Sequence, residues 1–455
     1  MIFILAAAGS AVGLGNVWKF PYITGENGGG AFVLVYLACI AMIGIPIMMA
    51  EILLGRRGRQ SPINTMRSLA AEEGAIAERR DRHWLVEQLS ARANGIFRNL
   101  GWLGVITGFL ILSFYSVIAG WALSYVFYTA GGLFSGASAD AVEGIFTGLV
   151  SDPERLIAWH TIFMVMTAII VSRGVAGGLE KAIRYLMPGL FVLLLIMVGY
   201  AMSTGHFGEG LDFLFAVDFS SLDQDSVLVA MGHAFFTLSL GMGAIMIYGS
   251  YLPADASIAR STLAIAIMDT VVALLAGMAI FPIVFANGLE PGAGPGLIFQ
   301  TLPLAFGAMP GGVFFGTLFF ILLTFAALSS AISLIEPAVT WLVENRGVSR
   351  VKASVWVAVA IWLLGLGTVF SFNLASELTV FGKTFFDLLD YLTANILLPL
   401  GGLLIALFAG WQMSRQSSVE ELDMGRMYNV WRILVRFVAP VGVVIVFLNA
   451  IGVLG

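Results

Sequence analysis

The chain has 455 residues, 59% of them hydrophobic and only 11% charged, where a soluble globular domain carries about 25% charged residues. Apolar runs of about 20 residues recur along its whole length, as expected of membrane-spanning helices, so the composition excludes a soluble or disordered chain. The single cysteine, Cys39, excludes a disulfide framework and any multi-cysteine metal site. The net charge of −5 says little until its distribution is considered.

In chain order the apolar runs read as eleven spanning helices, at roughly 2–26, 31–55, 101–129, 157–172, 184–203, 226–250, 262–285, 311–342, 353–370, 382–411 and 433–453. No cleavable signal peptide is visible. Met1 opens directly in an apolar helix with no charged flank, so the natural N-terminus reads as incomplete. Of the 23 basic residues, 20 fall in one alternating set of connections: 56–98, 173–184, around Arg260, 346–352 and 415–436. The other set holds only Arg155, while Lys19 and Lys383 lie within or beside helices. Lysine and arginine collect on the cytoplasmic side. The expectation is a multi-pass protein of a plasma membrane, a bacterial inner membrane, with a cytoplasmic N-terminus and an external C-terminus. Connection 56–98 is charged and is expected to contain a short surface helix. Its basic residues read as a solvated or headgroup-contacting face of the lipid bilayer, not as a nucleic-acid site.

Two segments contain helix breakers. The first carries "GSAVGLGN", Gly9 to Asn16, and the sixth carries "TLSLGMGA", Thr237 to Ala244. Five segments separate them, and an odd number reverses direction across the bilayer, so helices 1–5 (1–203) and 6–10 (226–411) can be inverted copies. The stretch 433–453 is then an extra helix, all within one transmembrane domain spanning 1–455. Paired interrupted segments point to a midplane binding site in transporters. Close helix packing through the Gly9–Gly13 pair is the plainer alternative, and spacing alone leaves both open. A dinucleotide-binding reading fails, because no strand precedes these glycines and their spacing is wrong.

"AAAGSAVGLGNVWKFPYITGENGGGAFVLVYL", "FFTLSLGMGA" and "FAALSSAISLIEP" resemble helices 1–2, 6 and 8 of the neurotransmitter:sodium symporters, the LeuT-like family. The likeness extends over essentially the whole chain. The eleven-segment length and the "GMG" of the sixth segment are most similar to bacterial, amino-acid-transporting members. The resemblance implies an all-α LeuT-like fold with unwound helices 1 and 6, and sodium-coupled symport by alternating access.

The same resemblance implies a site. A first Na⁺ would use the Ala11 carbonyl, Asn16, Thr237 and Asp269. A second would use the Gly9, Val12 and Ala326 carbonyls with the Ser329 and Ser330 hydroxyls. The substrate carboxylate would meet the Leu14 and Gly15 amides and Tyr115. The ammonium would meet the carbonyls of Ala11, Phe236 and Thr237 and the Ser239 hydroxyl. Ile111, Phe236, Met242, Ser330 and Leu334 would line the side-chain pocket. Gly13 stands where amine-transporting relatives have an aspartate, which favours amino acids over monoamines. An external gate would pair Lys19 with Asp390 above Tyr115 and Phe236. Gly178 and Pro188 would permit unwinding at the cytoplasmic end of helix 5. Glu344 matches the acid of an internal gate, whose basic and tryptophan partners are then expected before Met1.

The physics agrees with this reading. Broken backbone in hydrocarbon leaves carbonyls and amides that cost several kcal/mol each if unpaired. A hard cation suits the oxygens and a carboxylate suits the amides. Asp269 replaces the asparagine usual in the family, and its charge is expected to take the place of the chloride used by animal relatives. Position 273 is alanine, so no second acid lies one turn away. His233 replaces a glutamine and reads either as a substitute hydrogen-bond donor near Lys19 and Tyr36 or as a titrating group. No nucleophile–base pair appears, so an enzyme is not expected. Polar groups concentrate at two breaks and form no repeated rings, which argues against a channel. The expected cargo is a neutral, mainly hydrophobic or aromatic L-amino acid with two Na⁺ and no chloride requirement. The remaining alternative is another small carboxylated solute or osmolyte.

Overall fold

The computed structural model describes residues 9, 11–78, 84–174, 180–291, 297–450 and 453. These are helical almost throughout, and the one strand-like feature among them is an isolated antiparallel bridge between Val380 and Lys383. We number the spanning segments α1 to α11. Eight are unbroken helices long and apolar enough to cross a bilayer: α2 (Gly30–Gly58), α3 (Gly95–Ala130), α4 (Pro153–Ser172), α7 (Ile258–Ala286), α8 (Gly312–Arg346), α9 (Arg350–Ser371), α10 (Phe385–Gln412) and α11 (Met427–Leu448). A further span is α5, Glu180–Ser203. Two more segments are interrupted. In α1 the described helical part runs through Gly15–Lys19 and Phe20–Glu26, and α6 divides into Gln224–Thr237 (α6a) and Ala244–Tyr251 (α6b). Together these are the eleven expected segments, and the two that fail as continuous helices are the two that carry the glycine motifs.

Local chemistry sets the helix ends. Asp152 caps α4 by accepting from the Glu154 and Arg155 amides, with Pro153 in the first turn, where a missing N–H costs nothing. Ser257 and Ser349 cap α7 and α9 in the same way, and Thr384 with Asp387 forms a reciprocal capping box at the start of α10.

The connections hold more structure than the sequence suggested. Connection 56–98 contains a helix, Pro62–Glu78, as expected. One face packs on α3 and buries Ile63, Met66, Leu69 and Ala70, while the other is at the surface and carries its one basic residue, Arg67, exposed. Of the connection's described basic residues, Arg56 departs from the solvated reading and is buried. After α5 the chain turns by 116° into Phe207–Phe215, which packs back on α7 through Phe213 against Phe281, ring centroids 4.8 Å apart.

Two kinds of contact fix the walls of the interior. Trp121 and Tyr125 of α3 meet Phe299 at centroid distances of 5.6 and 5.1 Å, and Tyr125 meets Phe320 of α8 at 5.1 Å. This buried aromatic cluster holds α3 beside α8, the two unbroken helices that face the interrupted ones. The other contact is backbone on backbone. A Cβ added at Gly55 of α2 would collide with the Met246 carbonyl of α6b, and one added at Gly249 of α6b would lie 2.7 Å from the Ile52 carbonyl. The two helices touch through a glycine on each side, as close membrane helix packing requires.

Gly55→Ala is therefore expected to destabilise the purified protein by about 1–3 kcal/mol, the range for overpacking. Gly144→Ala, in a helix position with no neighbour within 4 Å, should leave the melting temperature unchanged or raise it. Equal melting temperatures for the two variants would remove the backbone contact as a stability determinant.

Candidate functional site

The sequence explains why both helices break. In α1 the chain bends at Val12 and Gly13 and resumes in a wide, π-type turn over Gly15–Lys19. In α6 the break covers 238–243, where Ser239, Gly241 and Gly243 adopt φ of 56°, 76° and 76°. Three left-handed residues in five cannot continue a right-handed helix. The two glycines adopt this conformation without strain, whereas Ser239 does so at a cost.

Freed backbone groups find partners in a dry interior, as they must. The Gly13 amide donates to Asn16 Oδ1 at 2.9 Å, and the Leu14 amide donates to the Tyr115 hydroxyl at 3.4 Å. The Gly241 amide donates to Glu51 Oε1 of α2 at 2.6 Å. Glu51 is fully buried. It was not singled out in the sequence, although a lone carboxylate inside "IPIMMAEILLG" is a signal by itself.

Three residues expected at the first ion site lie together. Asn16 Nδ2 donates to Thr237 Oγ1 at 3.1 Å, to the Asp269 carbonyl at 3.0 Å and to Asp269 Oδ1 at 2.7 Å. Thr237 Oγ1 donates to the same carboxylate at 2.9 and 3.1 Å. Asn16 and Asp269 are fully buried and Thr237 is 1% exposed. Among the described residues no lysine, arginine or histidine forms an ion pair with Asp269. No cluster of three or more His, Cys, Asp or Glu that could hold a metal occurs among them either. One carboxylate among neutral oxygens is a donor set for a hard monovalent cation, not for zinc or iron.

Beside this cluster is a cavity of about 20 Å³, room for about one water molecule. Ala11, Gly15, Ile111, Tyr115, Phe236, Thr237, Ser239, Met242, Ser330 and Leu334 line it, all expected substrate contacts, together with Ser333. Ser333 was not anticipated, although it follows Ser329 by one turn on the same face. Its hydroxyl bonds the Tyr248 hydroxyl at 2.7 Å and the Ser329 carbonyl at 3.0 Å. Gly13 and Leu14 do not line the cavity. Gly13 lies against α8, where an added Cβ would collide with the Ser330 hydroxyl and lie 3.2 Å from Tyr115 Oη. Gly9, Val12, Ala326, Ser329 and Ser330, expected at a second ion site, are all buried, with Ser329 Oγ donating to the Ala326 carbonyl at 2.8 Å.

Lys19 Nζ lies 2.6 Å from Asp390 Oδ1 and 4.9 Å from the Phe236 ring centroid. The expected ion pair thus links α1 and α10, with Lys19 over the Phe236 ring. At the opposite end, Glu344 accepts from the Ser61 amide at 3.0 Å and from Asn64 at 2.9 Å. His233 does not make the hydrogen bond expected of it. Both ring nitrogens are buried without a partner, and the ring packs on Tyr36 and Phe20 at centroid distances of 5.2 and 6.0 Å. Pro188 lies inside α5 and is exposed, while Gly178 lies outside the described residues.

Glu51→Ala, which leaves the Gly241 amide unpaired, is expected to cost about 1–3 kcal/mol. Glu51→Gln, whose oxygen still accepts, should cost less than half of that. Thermal unfolding of the two variants measures the difference, and equal losses would show that the bond to Gly241 is dispensable.

Known proteins resemble the chain over nearly its whole length. The profile described as "Sodium:neurotransmitter symporter family" matches residues 1–76 and 149–454. The sodium-dependent transporter YhdH of Bacillus subtilis is 38% identical over 99% of this chain and 96% of its own. A sodium- and chloride-dependent taurine transporter of Canis lupus familiaris is 24% identical over 86% of this chain and 67% of its own. The crystal structure of MhsT in complex with L-phenylalanine superposes with a TM-score of 0.90 at 43% identity, covering 99% of this chain and 98% of that one. The fold is therefore LeuT-like, and the chain is no enzyme: it belongs to the sodium:neurotransmitter symporter family and is a multi-pass, sodium-dependent transporter.

Proposed function

We propose that this symporter carries neutral, mainly hydrophobic or aromatic L-amino acids, coupled to two Na⁺ and without chloride. The observation that carries the reading is Asp269: a fully buried carboxylate held by Asn16 and Thr237, with no cationic side chain of the described protein to neutralise it. Such a charge within a membrane is costly unless paired. A sodium ion bound by Asp269, Asn16, Thr237 and the Ala11 carbonyl supplies the pairing. The carboxylate itself supplies the negative charge for which the animal relatives, named as sodium- and chloride-dependent, use an anion.

The second ion sits between the break of α1 (Gly9, Val12) and α8 (Ala326, Ser329, Ser330). The amino-acid carboxylate takes the Leu14 and Gly15 amides and the Tyr115 hydroxyl, the Leu14–Tyr115 bond opening to admit it, while Gly13 packs on Ser330 and leaves no vacant space of its own. The ammonium takes the Ala11, Phe236 and Thr237 carbonyls and Ser239. Ile111, Phe236, Met242, Ser330 and Leu334 form the side-chain wall, and the unbranched Met242 adapts to bulky groups. MhsT holds L-phenylalanine, which supports an apolar cargo over taurine, the substrate in the name of a relative only 24% identical. Lys19, Asp390, Tyr115 and Phe236 close the external side. The halves 1–203 and 226–411 act as inverted repeats with the N-terminus cytoplasmic, as the lysine and arginine distribution supports. Gly178 and Pro188 loosen α5 toward the inside. Two Na⁺ moving inward down 100 mV supply about 4.6 kcal/mol, enough for a more than thousandfold gradient.

Proteoliposomes loaded for uptake are expected to accumulate leucine, phenylalanine or tryptophan with an inward Na⁺ gradient and not with K⁺. Uptake should be unchanged when gluconate replaces chloride. Loss of uptake on chloride removal would sink the role given to Asp269. Asp269→Asn should raise the Na⁺ concentration for half-maximal uptake by tenfold or more, and a variant with unaltered Na⁺ dependence would move the first ion elsewhere.

A further inference from the structure

On the lipid-facing side of α3, α8 and α9 lies an apolar groove of 320 Å³, separate from the transport cavity. Trp102, Ile106 and Phe109 of α3, Trp341 and Leu342 of α8 and Trp356 of α9 form its walls, with Trp102 and Trp341 packed edge to face at 4.7 Å. Three helices thus bring a tryptophan each to one level near the same ends of their spans. Tryptophan is enriched at that depth because its ring is amphipathic.

The charges at the mouth of the groove follow the same register. Arg98 precedes Trp102 by four residues, Lys352 precedes Trp356 by four, and Arg346 follows Leu342 by four. Residues four apart share a helix face, so each helix places a cation one turn outward from its groove residue. All three cations are exposed, and none belongs to an ion pair among the described residues. Their charged neighbours are already committed. Arg350 bonds Glu336 and donates to the Val171 carbonyl at 2.8 Å, and Glu344 accepts from Ser61 and Asn64. From Arg98 to Phe109 the groove runs eleven residues, about 16 Å of helix, close to the depth of one leaflet's hydrocarbon.

We propose that this groove is a binding site for an anionic phospholipid, its phosphate between Arg98, Arg346 and Lys352 and an acyl chain along Trp102, Trp341 and Trp356. Basic pockets between spanning helices at a membrane surface suit such headgroups, and the apolar walls with unneutralised cations at one end fit no neutral lipid as well. The site does not depend on what the symporter carries.

Native mass spectrometry of the full chain, given equal amounts of dioleoyl-phosphatidylglycerol and dioleoyl-phosphatidylcholine, tests this without reading transport. The parent protein should retain the anionic lipid at least fivefold over the zwitterionic one. The triple variant Arg98→Gln, Arg346→Gln, Lys352→Gln should bring the two to parity. Ala360→Trp, which fills the groove at an exposed position and changes no charge, should reduce retained lipid of both kinds. The proposal is overturned if the triple variant keeps the fivefold preference, or if Ala360→Trp retains as much lipid as the parent. A dimer that these substitutions dissolve would also overturn it, by assigning the groove to a second copy of the chain.

Discussion

No water reaches the hydrocarbon core to hydrogen-bond a stray amide or carbonyl, and the rest of this structure depends on that constraint. An intact helix meets it internally. Breaking one is possible only where other groups meet the demand, so the breaks in α1 and α6 must lie where side chains from several helices converge. Asn16 accepts the Gly13 amide, Tyr115 of α3 accepts that of Leu14, and Glu51 of α2 accepts that of Gly241. Ala11, Gly15, Phe236 and Thr237, beside these bonds, line the cavity in which the cargo is proposed to bind. Under the proposed function, Asn16 and Tyr115 serve both the fold and the cargo site, so a change at either would affect both.

Apolar packing decides where convergence occurs. The aromatic cluster of Trp121, Tyr125, Phe299 and Phe320 holds α3 against α8, which brings the Tyr115 and Ser330 hydroxyls together on the side of Gly13 where a Cβ would lie. Position 13 has no space for a side chain because two hydroxyl groups already occupy it. The selectivity argument drawn from a missing aspartate therefore has a steric counterpart: even an alanine there must displace Ser330.

The spans were legible because bilayer thickness imposes a length on every segment, whereas glycine spacing alone left open whether α1 and α6 break or pack closely, and family resemblance decided between the two. Asn16, Thr237, Asp269, Lys19 and Asp390 could be paired across 221 to 371 residues only through family resemblance, since no local rule connects positions so far apart. Glu51 and Ser333 were missed for different reasons. Glu51 supports the backbone from outside the break, and Ser333 adds one more turn to a serine face already identified. The helix Pro62–Glu78 was legible, with Arg67 on its exposed face, whereas the burial of Arg56 against Glu421 depends on a contact 365 residues away that no local rule reveals. His233 was expected to donate a hydrogen bond, but the rings of Phe20 and Tyr36 occupy its faces and leave the nitrogens without acceptors.

Helix α2 is bound to α6b by its glycine contacts, to the α6 break by Glu51, and at its end by Arg56, which reaches the Ala256 carbonyl at 2.6 Å and Glu421 at 2.7 Å. Backbones in direct contact cannot slide past one another as side chains can. Mechanically, α2 and α6b form a single rod, and any swing of one is a swing of both. For the alternating access that the family resemblance implies, the irregular backbone at the ends of that rod is then where bending costs least: the wide turn at Ile40–Gly44 and the left-handed residues between Thr237 and Ala244. What glycine gives up in helix propensity at Gly44, Gly241 and Gly243 becomes the freedom with which the paired rod can swing.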